Sequence, residues 1–177
     1  RNYGDELFVV VEALLAGAGA TLPEMALIAV ADGPGSFTGV RIGLTAAKGW
    51  HEVLGTPLAP ISTLRAVIGR NPLPGLGAMD AARGEVYFGC YTESGAEEGL
   101  EPLAAFQHRL RFWQAAAFTT DESLQRACPA LQLMAPELAA AVGWLGWKAG
   151  AAGQAQNVMA LDARYLRPPD VTLPAPR

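Results

Sequence analysis

The stretch ADGPGSFTGVRIGLTAAKGW, residues 31–50, decides the reading of the fold. It continues an unbroken apolar run, ALIAVA at 26–31, turns through Gly33, Pro34 and Gly35, and then carries helix-forming residues to Gly55 and Pro57. An apolar run of strand length, a tight turn and a helix are the units of an α/β protein, and a strand without polar alternation suits a parallel sheet covered on both faces. Ser36 or Thr38 can N-cap the helix by accepting from its free N–H groups.

Two roles compete for this loop. Exposed N–H groups and the helix dipole favour an anion at such a helix start. The spacing fits neither common phosphate loop. A Walker A loop needs GxxxxGK[ST], whereas Gly33 and Gly39 are separated by five residues and followed by Val40 and Arg41. A dinucleotide loop needs a third glycine where Thr38 stands, and the acidic residue at the right distance, Glu52, falls inside the helix. The structural role fits better: Gly33 and Gly35 permit a sharp turn, Pro34 stiffens it, and Ser36 leads through Phe37 and Thr38 into the helix. Gly39, Gly43 and Ala47 then recur at four-residue steps, a nearly flat face that another backbone can approach. An interior helix glycine costs about 1 kcal/mol relative to alanine, so this face needs a compensating contact, either inside the chain or with a partner.

Upstream, Leu7, Phe8, Val10, Val11, Leu14 and Leu15 recur at helical period over residues 5–18, until Gly17 and Gly19. Thr21 and Glu24 have capping-box spacing around Pro23. Downstream, 58–61 reads as a strand, Ser62 as the cap of a short helix, and NPLPGLG (71–77) as a linker, giving an N-terminal α/β lobe at 1–70 and a C-terminal lobe at 71–177. The second lobe opens with a hairpin, 76–80 and 85–91, in which Val86, Phe88 and Cys90 form one buried face. A Gly/Glu-rich turn at 93–99 follows, then helices at 108–118 and 121–127 and a strand at 130–135. Pro136 reads as a first-turn residue of a helix to about Ala149, and the Pro-rich tail from Pro168 as irregular.

The chain has 177 residues, a formal charge of −4 and 51% apolar residues, enough for one sizeable core or two small lobes. Its basic residues form no run longer than a pair, so no nucleic-acid groove is visible. Cys90 and Cys128 lack CxxC spacing, against a disulfide framework or a zinc site. No apolar stretch approaches the roughly 20 residues of a membrane span, and a cytoplasmic setting is expected. The first residue is Arg1 and not methionine, so further residues are expected before it. His51 and His108 are isolated, and no HExxH or GxSxG motif is present. Asp80, Arg83 and Glu85 crowd the hairpin turn and read either as a polar site or as a turn with an ion pair. Trp144 and Trp147, beside Leu145, read as core or lobe packing.

Four segments, GPGSFTGVRIGLTAAKG (33–49), LGTPLAPIST (54–63), AMDAARGEVYFGCY (78–91) and RYLRP (164–168), resemble in order the bacterial TsaB family, also called YeaZ. That resemblance implies an α/β fold of the ASKHA (actin-like ATPase, ribonuclease H-like) class with two lobes. It also implies a non-catalytic scaffold or activator that pairs with TsaD and works with the ATPase TsaE in transferring threonylcarbamoyl to the tRNA adenosine 3′ of the anticodon. The implied pairing uses the helices at 5–18 and 38–54, hence Leu7, Val11, Leu14, Gly39, Arg41, Gly43, Ala47 and Lys48, with Arg41 and Lys48 toward the rim. The same helices can pair two copies of the chain alone. No metal and no cofactor of its own are expected, with ATP or ADP at most through the complex, tRNA contacted only indirectly, and no membrane.

The family's first helix opens with a His-Ser-Glu-like sequence, where this chain has Tyr3, Gly4, Asp5 and Glu6. The resemblance further implies a strand and hairpin ahead of Arg1 carrying the fold's first phosphate loop. No DxGGxxT-like loop, Gly-Gly adenosine loop or metal-binding histidine pair occurs in the second part. Two other readings stay open: an ATP-dependent enzyme of the same superfamily, kinase or carbamoyltransferase-like, and a glycoprotease-like peptidase.

Overall fold

Local chemistry accounts for the first elements of the computed structural model, which describes residues 3–153 and 161–167. Helix α1, Tyr3–Gly17, stops where Gly19 takes φ +64°. The Thr21 N–H and hydroxyl both donate to Glu24, at 2.7 Å each, and hold the 3-10 turn Leu22–Glu24. Strand β1 is Ile28–Gly33 and helix α2 is Phe37–Leu54, with Gly55 left-handed beyond its end. Of the two cap candidates Ser36 is the one used: its Oγ accepts from the Gly39 N–H at 3.3 Å. Strand β2, Leu58–Ser62, pairs with β1 in parallel, as the apolar runs predict.

From β2 the chain passes directly into helix α3, Thr63–Ile68. Leu64, Ala66, Val67 and Ile68 are all buried, because α3 lies between the first sheet and a second, five-stranded one. The second sheet contains β3 (Gly75–Asp80), β4 (Glu85–Thr92), β5 (Gly95–Pro102), β6 (Ala116–Thr119) and β7 (Gln132–Leu133), in the order β5-β4-β3-β6-β7. Strand β3 runs antiparallel to β4 and parallel to β6. Helices α4 (Leu103–Phe112) and α5 (Glu122–Ala127) supply Phe106 and Leu124 to the core on one face, with Leu76, Val86 and Phe88. On the other face Leu64 and Ile68 meet Tyr91 and Phe118. Helix α6, Ala139–Ala151, returns to the first sheet and packs Val142 against Ile61 and Ala66. The packing of α6 therefore crosses the sequence division at residue 70.

Several expectations need correction. The linker read at 71–77 is a loop only to Pro74: Gly75 and Gly77 belong to the central strand β3, buried beneath α3. The hairpin is covered on both faces, since Tyr91 is buried opposite Val86 and Phe88. The Gly/Glu turn at 93–99 is mostly strand β5, ordered by pairing with β4, where Gly99 leaves room for the Phe88 ring. The helix read at 108–118 ends at Phe112, and Ala116–Thr119 is strand β6. Pro136 precedes α6 rather than opening it, and Trp147 is 65% exposed, not core. Trp144 lies under two cations, Lys148 at 4.8 Å and Arg70 at 5.5 Å. The Pro-rich tail lies outside the described residues.

The small-residue face of α2 is mainly internal. Ala47 is 1% exposed in a cluster with Val30, Leu44 and Leu58, and a methyl added to Gly43 would meet Val30 at an ordinary 3.8 Å. Ala47 is thereby removed from the expected docking residues, because its side chain faces β1. Replacing Gly43 with alanine will raise stability by about 0.5–1 kcal/mol through helix propensity, measured by urea denaturation; a loss would show that the helix cannot accept a methyl there.

Candidate functional site

The glycine turn is shaped from the far end of the chain. Gly33 has φ +113°, and a Cβ there would lie 2.8 Å from the Arg164 carbonyl oxygen, so only glycine fits. The Arg164 N–H donates to the Asp32 carbonyl at 2.6 Å. Its guanidinium then joins two carboxylates from different sheets, Asp32 Oδ2 at 3.1 Å and Glu98 Oε2 at 3.2 Å. Both carboxylate side chains are less than a tenth exposed. The Tyr91 hydroxyl donates to the other Glu98 oxygen and is 3.0 Å from Ser62 Oγ. Ser62 stands at the N-cap position of α3, as its sequence position predicts, but its side chain makes no cap hydrogen bond and its hydroxyl joins this network instead.

The charges explain the titration of the network. Burial pushes the Asp32 carboxyl above the usual carboxylate range, against the pull of Arg164, and the Glu98 charge acts in the same upward direction. Burial and the Glu98 hydrogen bond raise the Tyr91 phenol, which stays a donor. The Arg164 cation is engaged by both carboxylates, so its charge is compensated within the chain.

Around this centre the RYLR residues reach further. Tyr165 stacks on Phe37 with ring centres 5.5 Å apart, and its hydroxyl accepts from Arg41 Nε at 2.9 Å. The Arg41 guanidinium also lies 4.5 Å from the centre of the Phe37 ring. Arg167 pairs with Glu85 at 2.5 Å. Leu161 enters the α2 core and Leu166 packs beside α3. At the hairpin turn Asp80 accepts from the Ala82 N–H, and Glu85 pairs with Arg167. Ala82 and Arg83 both have positive φ, which is turn geometry.

A second feature is the outer face of α1 and α2. Phe8, Val9, Val10 and Leu14 are each at least half exposed, and on α2 Val53 is 81% exposed. Leu7 and Val11 are half-buried, Arg41 and Gly39 are exposed, and Lys48 is half-buried. Phe8 meets Trp50 edge-on at 5.8 Å. Beside that contact lies a groove of ≈380 Å³ lined by Arg41, Ile42, Thr45 and Gly49, and another of ≈550 Å³ lined by Val11, Leu15 and Leu22.

Sequence reasoning did not find Asp32, Glu98, Tyr91 or Ser62. Their contacts span up to 132 positions, and only the RYLR segment carried a sequence signal. Among the described residues no group of three or more His, Cys, Asp or Glu could hold a metal ion, and no helix is long and apolar enough to cross a membrane.

Comparison with known proteins places the chain as a whole. Residues 1–107 match the model of the family described as TsaD: tRNA N6-adenosine threonylcarbamoyltransferase. An uncharacterized protein of Mycobacterium tuberculosis is 29% identical over 96% of this chain and 77% of its own length. The tRNA threonylcarbamoyladenosine biosynthesis protein TsaB of Bacillus subtilis is 39% identical over 51% of this chain and 41% of its own length. The structure of YeaZ from Pseudomonas aeruginosa superposes with a TM-score of 0.73 at 26% identity, covering 94% of this chain and 85% of that one. The two sheets and their covering helices thus have the α/β ASKHA-type fold expected from the resemblance. The chain belongs to the TsaD family, and its likeness within that family is to the TsaB (YeaZ) proteins.

Proposed function

We propose that this chain is a non-catalytic scaffold subunit in the threonylcarbamoyl modification of tRNA adenosine, pairing with TsaD in the cytoplasm and working with TsaE. The observation that carries the pairing is the exposed apolar face of α1 and α2. An apolar face of this kind, bordered by the cation Arg41, suits a helical protein surface better than a small polar substrate. The same face would pair two copies when TsaD is absent, and tRNA would be reached through the complex.

The test is a double substitution on that face. Val10→Glu with Leu14→Glu changes two exposed side chains, so folding stability will stay within about 0.5 kcal/mol of the parent. Binding of purified TsaD will weaken by at least about 100-fold, the loss of roughly 2.7 kcal/mol, read by calorimetry. Unchanged TsaD affinity would overturn the proposed face. Tight ATP–magnesium binding by the full-length protein alone would favour the enzyme reading instead.

A further inference from the structure

Residues 161–167 reach several elements around the glycine turn. Leu161 sits in the core beneath α2, and Leu166 packs with α3 at the second sheet. The Arg164 backbone pairs with β1, and its guanidinium lies between Asp32 of the first sheet and Glu98 of the second. Tyr165 holds the first turn of α2 through Phe37 and Arg41. Arg167 reaches the start of β4 through Glu85.

The arrangement has a consequence for how the two sheets stay together. Asp32 and Glu98 approach each other while both are largely out of water, and like charges in that setting repel strongly. A cation between them makes the approach favourable, and the chain supplies its own. A planar guanidinium can bond both at once, Nη2 to Asp32 and Nη1 to Glu98.

We propose that residues 161–167 are a latch that holds the two sheets in one relative setting, with the Arg164 guanidinium seated between Asp32 and Glu98 as its fastening, and that through Tyr165 it also fixes the first turn of helix α2. The latch links the two sheets from within the chain, with Leu166 packed beside α3. Its action does not depend on the pairing with TsaD.

Hydrogen exchange on the full-length protein tests it. The combined variant Asp32→Asn, Glu98→Gln, Arg164→Met removes the fastening without leaving a buried charge alone. Amides of 33–40 and 95–98 will exchange at least about 10-fold faster, while those of α3 and β3 keep their protection. Unchanged exchange in both segments, or an equal rise in α3 and β3, would overturn the latch. Should this variant not fold, Arg164→Lys reads the same segments, because an ammonium cannot bond both carboxylates as the planar fork does; a rise at 33–40 and 95–98 supports the latch, and parent-like exchange there overturns it. Tyr165→Ala will speed exchange at 37–41 alone, and no change there would overturn the hold on α2.

Discussion

Replacing Gly77 with alanine will cost on the order of 4 kcal/mol, the largest loss expected from adding a single methyl to this protein. The added Cβ would lie 2.2 Å from the Leu64 carbonyl oxygen. That oxygen is backbone, in the first turn of α3, and cannot rotate aside as the end of a side chain could. Relief would require α3 to lift from β3, exposing Leu64, Val67 and Ile68, which are essentially fully buried. Gly89, directly opposite Gly77 on β4, sits under the same turn, with a Cβ position 3.0 Å from the Leu64 Cβ. The two glycines make a flat patch on the sheet where the helix rests. Urea denaturation of Gly77→Ala beside Gly43→Ala will separate close backbone approach from helix propensity, since the two changes act in opposite directions. A Gly77→Ala loss below about 1 kcal/mol would mean that α3 is less tightly seated than its contacts indicate.

The second large effect is at Arg164. Arg164→Met will destabilise the protein by about 3 kcal/mol, the lower end for a broken buried pair, because the arginine side chain is itself 45% exposed. The penalty comes from two carboxylates left facing each other without a cation. Asp32→Asn will behave differently, staying within about 1 kcal/mol of the parent or slightly above it at neutral pH, since it removes a buried charge and leaves Arg164 with Glu98. The pH dependence follows from the sign of the shift. The folded Asp32 pKa is raised above its ordinary value of 3.8, so the stability linked to its protonation is fully present below that value and is lost as pH rises through the folded one. Any advantage of Asp32→Asn at neutral pH will therefore shrink as the solution is acidified through this range. Thermal denaturation against pH checks both variants, and equal losses from Arg164→Met and Asp32→Asn would contradict the asymmetry.

Much of the fold was legible in the residues because its signals are local. The glycines after α1, Ser36 before α2 and Gly55 after it act on neighbours within a few positions. The β3–β4 hairpin is marked by alternation and by its turn. The failures fall where pairing overrides composition. The residues of β5 have poor strand propensity, and they are extended because β4 lies beside them. The segment Ala116–Thr119 follows helix-forming residues, yet its place beside β3 makes it a strand. Gly75 and Gly77 resemble linker glycines until α3 is laid on them.

For helix α2, sequence alone determined the tightly turned start, the capped helix and the family resemblance, since each rests on short-range geometry or on a contiguous motif. It also left open whether the line Gly39, Gly43 and Ala47 faces the chain itself or a partner. Tertiary structure turned Gly43 and Ala47 toward β1 and left the face formed with α1 exposed. It alone brought Asp32, Glu98 and Arg164 together, because an ion pair between residues 66 or 132 positions apart depends on the path of the whole chain, which no local spacing encodes.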